Sequence, residues 1–139
     1  MTIKFLEHTA DVKFQASGKT VEEAFVEAAK ALNETIRGKI KILEQEEKKI
    51  SVEGKDLESL LYNFLEEFLF HLDAEDFLVS EVKDLKVDSD NFKLSAVFVG
   101  DRASRYKFTN DVKAVTYNEM FVRFDDEEKE WIVQVVLDV

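Results

Sequence analysis

Two long amphipathic stretches set among β-prone segments constrain this chain more than any other feature. The first, TVEEAFVEAAKALNETIRG, places Val21, Ala24, Phe25, Ala28, Ala29, Leu32 and Ile36 at steps of three and four, on one stripe of a helix. Thr20 and Glu23 have the spacing of a capping box, and Gly38 follows Arg37 as a stop. These signals predict a helix over about 20–37. Its alanines make the stripe thin, which suits close packing on a sheet. The second stretch, DLESLLYNFLEEFLFHL, predicts a helix over about 56–72 with Asp56 as N-cap. Leu57, Leu60, Leu61, Phe64, Leu65, Phe68, Leu69 and Leu72 form its broad apolar face, a core-forming surface rather than a cofactor box. His71 falls in the predicted last turn, where a cation suits the helix dipole.

The remaining segments read as strands. DVKFQAS alternates, with Val12, Phe14 and Ala16 on one face. KKISVEG lies between the two helices. FLVSEVKDLKVD and NFKLSAVFVG flank a predicted hairpin turn at Ser89, Asp90 and Asn91. VKAVTYNEMFVRF and WIVQVVLDV are separated by the acidic turn DDEEKE. The order β, α, β, α and then a run of strands argues for an α+β fold with helices on one face of a sheet. With only four glycines, no proline and no low-complexity tract, nothing marks a linker, so residues 1–139 are expected to form a single domain.

Composition removes several function classes. The absence of cysteine excludes disulfides, thiolate catalysis and Cys-ligated zinc, and fits a cytoplasmic location. Thirty acids against nineteen bases give a formal charge of −11, which weighs against tight direct nucleic-acid binding and permits a cation or a basic partner. No apolar run reaches the roughly 18 residues of a membrane span. The opening residues, MTIKFLEHT, lack the features of a signal peptide. Phosphate-loop, dinucleotide-binding and HExxH motifs are absent.

The stretch EHTADVKF crowds His8, Thr9 and Asp11 at the mouth of a strand. A turn, a catalytic pair and part of a metal site are the competing readings. His8 with Asp11 lacks the pocket-forming loop and the second polar cluster that acid–base chemistry needs. A hard cation requires several oxygens at once. Asp11 offers one carboxylate, and the closing LDV offers the Asp138 side chain and the α-carboxylate of Val139. These groups could share one cation if the strands bearing them are neighbours. An Asx-turn at Asp11 and a frayed end at Asp138 are the simpler alternatives.

EHTADVKF, TVEEAFVEAAKAL, DLESLLYNFLEEFLF, KAVTYNEM and the closing VLDV, in this order, resemble the archease family over essentially the whole chain. The resemblance implies a compact sandwich with a mixed β-sheet and two main helices. It implies a protein that is not an enzyme but assists an RtcB-type RNA ligase in tRNA splicing, promoting guanylylation of the ligase and its multiple turnover. A chaperone-like role toward an RNA-modifying enzyme such as a tRNA methyltransferase is the alternative. The family's divalent-metal site falls on Asp11, Asp138 and Val139, with calcium expected and magnesium or manganese possible. Lys113 matches the lysine of the KAxTYH motif and is expected to act with those aspartates, with Val112, Ala114 and Tyr117 available for burial around it. His8 belongs to the motif as a residue that holds the turn. Asn118 stands where the motif usually has histidine, and it cannot carry a proton at neutral pH.

Overall fold

The computed structural model describes residues 1–6 and 11–139. Its elements run β1 (Thr2–Leu6), β2 (Asp11–Gly18), α1 (Val21–Arg37), β3 (Glu46–Glu53), α2 (Leu57–Glu75), β4 (Phe77–Asp88), β5 (Lys93–Arg102), a 3-10 turn, β6 (Ala114–Asp125) and β7 (Glu130–Asp138). The strands form two sheets, ordered β1-β2-β7-β6 and β3-β5-β4. This is the α+β architecture expected, with two differences. The helices do not cover one face of one sheet; each packs against strands of both sheets. The pairing is also not mixed: neighbouring strands are antiparallel throughout the described ladders. The reason lies in the connections. β1 pairs with β2, its successor in sequence, and hairpins join β4 to β5 and β6 to β7. The one helical crossover within a sheet, β3-α2-β4, links two like-directed strands that β5 separates.

Both helices carry the caps their sequences announce. Thr20 Oγ1 accepts the Glu23 N–H at 3.1 Å, whereas the Glu23 carboxylate reaches the Lys19 N–H at 2.7 Å, one residue outside the standard box. Gly38, at φ 69°, ends α1 and donates to the Glu34 carbonyl. In α2 the Asp56 carboxylate accepts the Ser59 N–H at 2.7 Å and the Ser59 hydroxyl accepts the Asp56 N–H at 3.2 Å. α2 runs one turn past His71 before Asp76, in the left-handed region, closes it. His71 is consequently not a terminal cation over a helix end. It is buried, with Glu67 facing Nε2 at 3.4 Å, Glu75 bonded at Nδ1, and the rings of Phe77 and Phe98 against it.

One contiguous cluster of buried side chains joins the two sheets through the helices. Ala24, Ala28, Ala29 and Ala31 are all almost fully buried, so α1 sits close to its neighbours, as its thin stripe suggests. Phe64 is the hinge of the aromatic core, within 6.3 Å of Phe25, 5.6 Å of Phe68 and 6.1 Å of Phe98. Gly100 is required where β5 passes β4: a Cβ there would stand 2.0 Å from the Leu78 carbonyl oxygen.

A buried carboxylate ties the α1–β3 connection to the end of β5. Asp101 accepts from the Tyr106 hydroxyl at 2.7 Å, the Arg102 N–H at 2.8 Å and the Arg105 guanidinium at 3.1 Å, and Tyr106 in turn accepts the Leu43 N–H at 3.0 Å. The Tyr106 hydrogen bond is the main reason the Asp101 carboxyl is held below the ordinary value of 3.8. A carboxyl depressed in the folded state stabilises that state above its unfolded pKa, and loses the contribution as pH falls through the folded one. The melting temperature of the parent should therefore exceed that of Asp101→Asn at pH 6, and the gap should narrow as pH falls below about 4. A gap unchanged from pH 6 to pH 2.5 would show that the carboxylate charge is not what the fold uses.

Candidate functional site: a corner of facing carboxylates

β7 is an inner strand of its sheet, with β2 on one side and β6 on the other. Its register sets Asp138 opposite Asp11 on β2 and opposite Ala114 on β6. The ladder is extended by one bond, from the Lys113 N–H to the Asp138 carbonyl at 2.7 Å. Segments from near the start, the last quarter and the end of the chain thus meet at one corner. Leu137, together with its cross-strand partners Val12 and Val115, faces the core. Side chains alternate along a strand, so Asp11, Ala114 and Asp138 project together from the opposite face.

Opposed residues in an antiparallel pair hold their Cβ atoms roughly 4.5–5.5 Å apart, and like charges placed there are destabilising. The cost falls when positive charge approaches. Lys113 sits one residue before Ala114 with its side chain exposed, and Val139, half-buried, follows Asp138 directly. The structure therefore brings Asp11, Asp138, Val139 and Lys113 into one neighbourhood. Among the described residues, no group of three His, Cys, Asp or Glu side chains converges as a metal cage; the side-chain carboxylates of the corner number two. His8 lies outside the described residues.

A polar network runs along the same outer face. The Gln15 amide donates to the Gln134 side-chain oxygen at 2.9 Å, and Gln134 Nε2 donates to the Glu119 carbonyl at 2.7 Å. Lys13 Nζ reaches the Glu119 carboxylate at 3.3 Å, bridging β2 to β6 across β7. Glu119 belongs to a wide bulge. Thr116 pairs with Val136 and Phe121 with Gln134, so residues 117–120 oppose Val135 alone. Glu119 takes the left-handed conformation at φ 52° to make the turn. The Thr116 hydroxyl pins the start of the bulge, donating to the Val136 carbonyl at 2.9 Å and accepting the Asn118 N–H at 3.3 Å.

The bulge also decides where Tyr117 and Asn118 go. Tyr117 is not buried around Lys113. It is exposed and stacks on Tyr62 of α2, with centroids 4.2 Å apart and planes 9° from parallel. Loss of hydration, followed by the nearby Asp56 and Glu66 charges, pushes the Tyr117 phenol up from its usual range. Asn118 is exposed on the bulge, its backbone N–H anchored on the Thr116 hydroxyl. The sequence pattern pointed to neither Gln134 nor Glu119. The available signal was the single amide interrupting the apolar run WIVQVV, at an outward position of the strand.

This architecture, two short antiparallel sheets and two helices with opposed carboxylates where β2 meets the last strand, defines a class of small α+β proteins. Residues 4–139 match the model of the Archease protein family. The chain is 41% identical to protein archease of Pyrobaculum neutrophilum, over 98% of this chain and 94% of that one. It is 38% identical to protein archease of Pyrococcus abyssi, over 96% and 95%. Its fold overlays the solution structure of Methanobacterium thermoautotrophicum protein 1598 with a TM-score of 0.83, at 31% identity, over 99% of this chain and 98% of that one. The chain belongs to the archease family.

Because Gln134 is buried and bonded at both ends of its amide, Gln134→Ala removes the link between β2 and the bulge. Leaving the Glu119 carbonyl without that donor should cost about 1–3 kcal/mol. Amide exchange should quicken at 117–121 while β4 and β5 keep their protection. Unchanged exchange at the bulge would mean that Thr116 and Lys13 hold it alone.

Proposed function

We propose that this chain is a non-catalytic accessory protein of an RtcB-type RNA ligase, acting in tRNA splicing or RNA repair to promote ligase guanylylation and multiple turnover. The observation that carries this reading is the meeting of Asp11, Asp138 and Lys113 at one corner of a chain that belongs to the archease family. A charge of −11 suits a protein that touches the ligase and leaves the RNA to it. Among the described residues no helix is long and apolar enough to cross a membrane, and the proposed setting is the cytoplasm.

The donors at the corner fit a hard divalent cation, calcium before magnesium or manganese. They are all oxygen, and two carboxylates already face each other across the ladder, beside Val139. When bound, such an ion would neutralise the opposed carboxylates and offer open positions to phosphate oxygens. Lys113 would supply ammonium donors to a phosphate from the next strand. Asn118 keeps hydrogen-bonding capacity on the rim without a titratable proton. The alternative role, as a chaperone-like modulator of a tRNA methyltransferase, calls for a contiguous apolar patch. The large exposed apolar side chains instead divide among β1, the α1–β3 connection, α2 and β6.

The test is a multiple-turnover ligation assay of the cognate ligase with and without this protein. Addition should raise turnover. Lys113→Ala and Asp138→Asn should each remove most of the gain, roughly tenfold or more, the scale of one lost charge-assisted contact. Both residues are exposed, so melting temperatures should stay near the parent's. Full assistance by Lys113→Ala and by Lys113→Arg would reduce this lysine to a counter-charge and overturn its assignment.

A further inference from the structure

Away from the corner, on the other sheet, a groove of about 390 Å³ separates α2 from the end of β3. Val52, Glu53, Asn63, Glu66, Glu67 and Phe70 line it. β3 is an edge strand, paired with β5 on one side only. Among the described residues, none of its backbone groups bonds to backbone beyond the β5 ladder. The Glu53 carbonyl alone is taken by a side chain, Asn63 Nδ2 at 2.7 Å, which shows how near the helix runs. Edge strands are commonly protected by charge. Here the first half of β3 has it, in the run Glu46, Glu47, Lys48 and Lys49, with Lys48 paired to Glu75 at 3.8 Å. The second half, Ile50 to Glu53, carries one charge, and the groove opens there.

The helix side is equally unusual. Asn63, Glu66, Glu67 and Phe70 recur at helical steps on one stripe of α2. Phe64 and Phe68 are buried, yet Phe70 is 56% exposed. An apolar ring, an unpaired strand edge and three carboxylates therefore border one trough.

We infer that this groove receives an extended basic segment of a partner protein, added as a new strand along the edge of β3. An extended chain supplies the backbone donors and acceptors that the edge lacks. Its alternate side chains, roughly 6.5–7 Å apart, project to the two faces of the sheet. The set on the α2 side lies over Val52 and Phe70 and brings lysine or arginine heads to Glu66 and Glu67, with Phe70 also available as a cation–π face, and the opposite set lies beside Glu53. Charge selects this occupant. A second copy would bring another −11 and the same three carboxylates, and a nucleic acid would bring phosphates. The inference does not depend on the ligase reading.

A rhodamine-labelled nonapeptide alternating valine and lysine, capped at both ends, serves as the probe, with an alternating valine–glutamate peptide as control. Anisotropy in about 50 mM salt, where charge contacts are little screened, should show saturable binding of the lysine peptide only. Glu66→Lys and Phe70→Ala should each weaken it about tenfold. Glu127→Lys, the same charge change in the exposed β6–β7 turn, should alter it less than about twofold. Amides 51 and 53, which face the open edge, should gain exchange protection on binding. Equal weakening by Glu127→Lys, equal binding of the glutamate peptide, or protection arising elsewhere would overturn the proposal. So would sedimentation showing a dimer that a Ser51→Pro change on β3 dissolves.

Discussion

The antiparallel ladder that holds β7 between β2 and β6 is the interaction on which the rest of the molecule depends. It fastens β2, near the start of the chain, to the last strand, from Gly18 opposite Trp131 to Asp11 opposite Asp138. Its inner face supplies Val133, Val135 and Leu137, all fully buried, to the core that both helices share. Because strand side chains alternate, the same pairing sends Gln134, Val136 and Asp138 outward. The register that completes the core is thus the register that sets two carboxylates against each other. A slip of one residue would take the apolar set out of the shared core, so the corner is specified as firmly as the core itself.

That arrangement carries an electrostatic cost which the rest of the face answers. Lys13 is committed to Glu119 and the two glutamines to each other and to the bulge, so the polar side chains near the centre of the sheet have partners. Lys113 stands beside the end of the ladder, its N–H on the Asp138 carbonyl and its side chain exposed.

Much of this could be read from residue patterns. Periodicity located both helices, Thr20, Gly38 and Asp56 marked their ends, alternation located β2, and the remaining strand-like runs located β3 to β7. α2 ran longer than expected because Asp76, not a glycine, ends it in the left-handed region, a role with no composition signal. β1 was not anticipated: five residues on a sheet edge, with Phe5 half-exposed, bury too little to impose a pattern. The division into two antiparallel sheets was invisible too, since a strand's own residues do not name its neighbour. At the corner, Asp11, Lys113 and Asp138 were accessible because each sits at a strand end inside a recognisable motif. Gln134 and Glu119 were not, because their importance comes from a bulge whose extra residues oppose Val135 alone. Tyr117 went the wrong way for the same reason: the bulge rotates it onto Tyr62.

The most direct measurement is a calcium titration of the ¹⁵N-labelled protein followed by backbone amide shifts. Saturable changes at Asp11, Val12, Lys113, Ala114 and the last three residues, at roughly 1 mM calcium or below and lost in Asp138→Asn, are the predicted result. Shifts centred on the acidic turn at Asp125 to Glu128, or none at the corner, would contradict the assignment of this corner as the working site.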